Sequence, residues 1–133
     1  MTGQTYIKTT DNISLFCPTP WHTRDWHELN AIANGCGPSG WKEKLVPDSI
    51  LGCKVGEACT IHDIQYLEGE TIEAKDSADR SFHNNLLRIV NARTKTWLAK
   101  KLLLKPRLKL TWVYYQAVHR YGGAAFWDKH LPK

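Results

Sequence analysis

Cys59-Thr60-Ile61-His62-Asp63-Ile64-Gln65-Tyr66-Leu67-Glu68-Gly69-Glu70-Thr71 reads as a helix running into a turn. The apolar spacing predicts helix from about Val55 to Leu67, with Gly69 as its C-terminal stop. At 3.6 residues per turn, His62 and Tyr66 share a face with Cys59, while Asp63 points about 100° away. One short helix therefore offers a candidate base and a candidate metal ligand in two directions. A second, longer helix is predicted from Thr71 to about Ala92, with Ala74, Ala78, Phe82, Leu86, Ile89 and Val90 as its apolar stripe. Asp79 lies about as far after the turn at Gly69-Glu70 as His62 lies before it. In an antiparallel hairpin, equal offsets bring the two side chains to the same height. A carboxylate there can accept the Nδ1 proton of the imidazole, leaving the other nitrogen to act as a base. Phe82 is expected to wall the pair with apolar surface.

Upstream, Asn34-Gly35-Cys36-Gly37-Pro38-Ser39-Gly40 has the composition of a turn or an ion-cradling loop, and irregular chain is expected on through Pro47 and Gly52. Residues 1–21 show no periodicity and end in Cys17-Pro18-Thr19-Pro20-Trp21, which predicts an irregular arm. Thr23 is the expected cap of a short helix running to about Ala33. Downstream, helices are expected over about Thr94 to Leu104 and Leu108 to Tyr121, separated by Pro106 and closed by Gly122-Gly123. No internal repeat and no strand ladder is visible. The fold class is mainly α, in a single domain over residues 1–133. Its motif core spans about 34–92, and a basic helical region spans 93–133.

The chain has 133 residues, of which 42% are hydrophobic and 23% charged, a balance that suits a globular domain and excludes disorder throughout. The formal charge is +5 and is unevenly placed. From Arg88 onward there are eleven lysines and arginines against Asp128 as the lone acid. Such a region attracts polyanions, whether phospholipid head groups or nucleic acid, and is equally compatible with a solvated basic face. Between Lys95 and Lys109, Trp97, Leu98, Leu102, Leu103 and Leu104 alternate with lysines. That pattern fits either an anionic membrane surface or a core helix with a charged outer face. No secretory signal and no run of roughly 20 apolar residues is visible, so a soluble or peripheral protein is expected. The four cysteines do not by themselves fix the redox compartment.

Taken singly, His62 suits a core histidine, Asp63 a solvated helix charge and Asp79 an exposed acid. Together with the glycine loop they resemble one family. Gly35-Cys36-Gly37-Pro38-Ser39, Cys59-Thr60-Ile61-His62-Asp63-Ile64-Gln65-Tyr66 and Ala78-Asp79-Arg80-Ser81-Phe82 are similar, in order, to the calcium loop, the catalytic helix and the orienting-aspartate helix of phospholipase A2. The compact hairpin looks closest to the bacterial, phage or parvoviral branches. The resemblance covers roughly Gly35 to Leu87. It implies a phospholipase A2-like fold and calcium-dependent hydrolysis of the sn-2 ester of phospholipids. By the same resemblance His62 is the base that activates water, Asp79 its orienter, Tyr66 a support for Asp79, and the Gly37 N–H the oxyanion donor. The resemblance further implies that calcium is held by Asp63 with the backbone carbonyls of Gly35, Gly37 and Ser39, in keeping with that ion's preference for hard oxygen.

Two positions depart from the family pattern. Ser39 replaces the last loop glycine, and Ala58 replaces the first residue of the family's cysteine pair. By analogy Cys36 and Cys59 bridge loop to helix, leaving Cys17 and Cys53 as a second pair or as free thiols. Trp21, Trp26, Trp41, Trp97, Trp112 and Trp127 suit either an interfacial rim or core and channel walls. No C-x-x-C or H-x-x-x-H spacing supports a zinc site. The rival to an enzyme is a non-catalytic module on the same scaffold that binds nucleic acid, an anionic membrane or a protein partner through the basic C-terminal region. Peptide mapping of protein isolated under oxidising conditions should recover a Cys36–Cys59 bridge; Cys36 paired to Cys17 or Cys53 would break the loop alignment.

Overall fold

The computed structural model describes residues 4–33, 47–123 and 126. The described chain is mainly helical, with two small antiparallel sheets. Contrary to the irregular arm expected for residues 1–21, β1 (Gln4–Lys8) and β2 (Ser14–Pro18) form a hairpin in which Tyr6 pairs Phe16 and Ile7 pairs Leu15. Alternation accounts for it: Leu15 and Cys17 turn inward with Ile7, while Tyr6 and Phe16 stay on the outer face. Pro18 stands at the last position of β2, where a proline ends a strand without disrupting a ladder.

Thr23 is not a helix cap. Its hydroxyl donates to the Pro20 carbonyl at 2.9 Å, closing a 3-10 turn over Trp21–Thr23. Asp25 caps the next helix instead, accepting from the Glu28 N–H at 2.8 Å, so α1 begins later than expected and spans Trp26–Ile32. The second sheet, β3 (Ser49–Ile50) with β4 (Cys53–Lys54), replaces part of the expected loop. Its turn residues Leu51 and Gly52 both have positive φ, at 48° and 82°, as a tight hairpin turn requires.

α2 (Gly56–Glu68) and α3 (Ile72–Arg93) match the predicted central helices to within a residue or two. Thr71 caps α3 through the Ala74 N–H at 3.1 Å, and all of the predicted stripe except Ala74 is buried. α4 (Trp97–Leu102) is capped by Thr96 rather than starting at Thr94, whose hydroxyl instead bonds back to the Val90 carbonyl at 2.7 Å. α5 (Leu104–Tyr121) contains Pro106 and is not divided from α4 by it. The proline sits in the first turn, where a backbone N–H has no intrahelical acceptor to lose.

The core lies between α2, α3 and the inner faces of both hairpins, and Tyr114 and Val118 close it from α5. Trp21 and Trp26 pack against it, whereas Trp97 and Trp112 are exposed; Trp41 and Trp127 lie outside the described residues. Two polar side chains tie the layers. Arg93 reaches Asp11 at 2.8 Å, Glu57 at 2.8 Å and the Lys54 carbonyl at 2.7 Å. Asn85, fully buried on α3, accepts from the Phe16 N–H at 2.9 Å and donates to the Phe16 carbonyl at 3.1 Å, pairing strand β2 as another strand would. Asn85→Ala removes both partners from the Phe16 peptide and should cost about 1–3 kcal/mol in urea unfolding. Its exposed neighbour Asn84→Ala should stay within about 0.5 kcal/mol; equal midpoints for the two variants would contradict this role.

Candidate active site

The turn between α2 and α3 fixes how His62 and Asp79 approach. Gly69 ends α2 as predicted, but with extended backbone, so positive φ is not its use. Its use is size: a Cβ there would stand 2.8 Å from the Phe126 ring and 3.2 Å from the Ala74 methyl. Phe126 lies edge-on to Tyr66 at 5.2 Å, and Tyr66 packs on the His62 ring at 4.1 Å. Phe82 also packs on the imidazole, with ring centroids 4.8 Å apart.

His62 Nε2 lies 2.7 Å from Asp79 Oδ1, so the two side chains that the equal offsets place at one height do meet. The nitrogen differs from the expected Nδ1. Nε2 is the ring nitrogen farther from the backbone, and it is the one that spans the gap to α3. The Tyr66 hydroxyl donates to the same carboxylate oxygen at 2.6 Å. His62 and Asp79 are both fully buried. Burial acts to raise the Asp79 carboxyl, but the His62 hydrogen bond and charge, with hydrogen bonds from Lys75 and Tyr66, outweigh it and hold Asp79 down at about 2. Burial, reinforced by the Asp79 charge, pushes the Tyr66 hydroxyl well above its ordinary value, so Tyr66 stays a donor. An ionised Asp79 accepts the hydrogen bond from Nε2–H, and when the imidazole is neutral this tautomer carries its lone pair on Nδ1.

Two partners of Asp79 escape the sequence reading. Lys75, only 4% exposed, donates to Asp79 Oδ2 at 2.8 Å and to the His119 carbonyl at 3.1 Å. His119 Nδ1 lies 3.4 Å from the same Oδ2, and its ring stacks on Tyr115 at 5.4 Å. The four-residue spacing of Lys75 and Asp79 on one helix was a usable signal. For His119, forty residues further on, only the docking of α5 supplies the contact.

Asp63 is buried, 8% exposed, and occupies the neighbouring side of α2 as predicted. The remaining residues of the expected calcium set, Gly35, Gly37 and Ser39, lie outside the described residues, as does Cys36. Cys59 is buried and disulfide-bonded, whereas Cys17 and Cys53 are free thiols, so those two do not form the second pair considered above. Burial drives Cys17 up to about 12 and raises Cys53 as well, which keeps both protonated and unreactive.

The chemistry of the donors decides which acids suit calcium. The Asp63 carboxylate is a hard oxygen ligand in a buried position, which fits the ion. A second group, Asp76, Asp79 and His119, brings its ligand atoms within 4.8 Å of one another. That group does not fit, because the Lys75 ammonium already sits on Asp79 Oδ2 and imidazole nitrogen is a poor calcium ligand. A cleft of about 820 Å³ lies elsewhere, by the N-terminal end of α2 among Trp26, Asn30, Gly56, Glu57 and Thr60. Neither His62 nor Asp79 lines it.

Comparison with protein-family models, with curated proteins and with solved structures finds no match.

Because the folded carboxyl of Asp79 titrates at about 2, below its ordinary 3.8, the group contributes stability above about pH 4 that is lost as pH falls through about 2. Wild-type protein should lose roughly 2 kcal/mol from this source across that window. Asp79→Asn should be less stable at neutral pH and show a flatter acid limb. An unchanged slope in the variant, read by urea titrations at a series of pH values, would remove Asp79 from acid unfolding.

Proposed function

We propose that this protein is a phospholipase A2-like hydrolase that cleaves the sn-2 ester of phospholipids, with His62 as the general base. The observation that carries the reading is the 2.7 Å contact of His62 Nε2 with the buried, ionised Asp79, braced by Tyr66 on the same oxygen. Motif resemblance joins a histidine, an aspartate and a tyrosine that are 17 and 13 residues apart in sequence, and these are the groups found in contact.

On this reading the neutral imidazole takes a proton from water through Nδ1 as the water oxygen attacks the ester carbonyl carbon. The C–O bond to the glycerol oxygen then breaks, and the imidazolium returns the proton to that oxygen as the lysolipid leaves. Asp79 stays ionised throughout, holding the tautomer and steadying the imidazolium between the two transfers. Tyr66 and Lys75 keep Asp79 in place and charged. Asp63, with the Gly35, Gly37 and Ser39 carbonyls, would hold calcium, which when bound polarises the ester carbonyl. The Gly37 N–H is assigned as the oxyanion donor.

One observation favours the rival. His62 and Asp79 have no exposed surface, and Asp79 is engaged by Lys75 and His119 as a structural ion pair is. A non-catalytic module using its basic C-terminal region would need nothing more of the pair. Release of labelled acyl chains from phospholipid vesicles, with calcium and with a chelator, separates the two. Hydrolysis should require calcium and fall with Asp63→Asn. It should drop at least about 10³-fold in His62→Ala and about 10²-fold in Asp79→Asn. The double variant should be no worse than His62→Ala alone, because the groups act as a unit. Folded wild type that releases no acyl chain from any phospholipid class sinks the hydrolase reading, while release that survives His62→Ala sinks only this mechanism.

A further inference from the structure

α4 is turned outward in a way that a core helix is not. Trp97 is 74% exposed, Leu98 52% and Leu102 60%, although a short helix could have hidden them. Instead Ala99 and Leu103, four apart, are the half-buried pair, and at 100° per residue Trp97, Leu98, Lys101 and Leu102 occupy the opposite side. Lys95, Lys100, Lys101 and Lys105 are all exposed around them, and the Lys101 ammonium lies 5.9 Å from the Trp97 ring. No acid occurs anywhere between Asp79 and Asp128, so no carboxylate of this segment neutralises these lysines.

We propose that α4 is a peripheral docking element for an anionic phospholipid surface. Trp97, Leu98 and Leu102 enter the head-group boundary while Lys95, Lys100, Lys101 and Lys105 meet the phosphates. Charge complementarity selects this occupant. A second copy of the chain would set lysines against lysines. A nucleic acid would satisfy the charges and could stack on Trp97, but it offers the aliphatic side chains of Leu98 and Leu102 no apolar phase. A bilayer interface takes all three at once: indole at the boundary, leucines below it and ammonium groups at the phosphates. No helix among the described residues is long and apolar enough to cross a membrane, so docking by this element is to the surface. The proposal does not rest on hydrolysis, since docking needs neither His62 nor Asp79.

Vesicle co-sedimentation tests it, with a chelator present so that acyl release does not enter the readout. Wild type should bind phosphatidylcholine vesicles that contain phosphatidylserine, release with added salt, and bind phosphatidylcholine alone far more weakly. Replacing Trp97, Leu98 and Leu102 together by serine leaves the charge unaltered and should weaken partitioning at least about tenfold. Replacing Lys95, Lys100, Lys101 and Lys105 by glutamine should weaken it by about the same factor or more. All seven side chains are exposed, so both variants should keep the wild-type melting temperature. Partitioning indifferent to phosphatidylserine, or undiminished in the serine variant, overturns the proposal. So does tight, salt-sensitive binding of a DNA duplex by protein that ignores vesicles. A protein that docks but does not hydrolyse would leave this proposal standing and remove the enzyme.

Discussion

A carboxylate with no exposed surface survives only where its charge is met, and Asp79 is met by four side chains drawn from three helices. His62 and Tyr66 reach it from α2, Lys75 from its own helix one turn earlier, and His119 from α5. Stripping water from an ion costs several kcal/mol, so removing any strong donor leaves a deficit that packing cannot replace. The constraint is geometric as well. The α2–α3 turn must be tight enough to bring residue 62 to residue 79, and Gly69 in that turn stands so close to Phe126 and Ala74 that there is no room for a methyl group. Lys75 also holds the His119 carbonyl, so the end of α5 is located by the same charge.

That arrangement has two consequences for chemistry. It holds Asp79 ionised and Tyr66 neutral and sets Nε2 of His62 against the carboxylate. It also closes the pair to solvent, which a lipid hydrolase must reconcile with substrate entry. The proposed enzyme and its rival both accept this geometry, and only the enzyme must open it to a substrate.

The basic excess is divided by function in the fold. Arg93 is consumed by Asp11 and Glu57, which hold its charge firmly, and it in turn depresses the Asp11 carboxyl. Arg107 is buried against the Leu51 carbonyl and the Thr94 hydroxyl, anchoring the start of α5 to the β3–β4 turn. The lysine set around α4 stays outside, together with the apolar side chains Trp97, Leu98 and Leu102. Formal charge alone cannot make that division, because it depends on which cations find partners.

The amino-acid sequence by itself determined the two central helices, their bounds near Thr71 and Gly69, the buried stripe of α3 and the meeting of His62 with Asp79. Each of these follows from the period of the helix and the shortness of the turn, both local quantities. It did not reveal the N-terminal hairpin, because Ile7, Leu15 and Cys17 are too few to mark a strand until α3 supplies Asn85 as a partner for Phe16. It misplaced the break at Pro106, since whether a proline interrupts a helix or begins one depends on where the helix starts. Lys75 was legible in its spacing from Asp79, but His119 was not. Which ring nitrogen faces Asp79, which lysines are paired and which leucines stay outside were decided by tertiary structure alone. Those outcomes depend on the docking of α5 and on distances between elements, which helical periodicity does not encode.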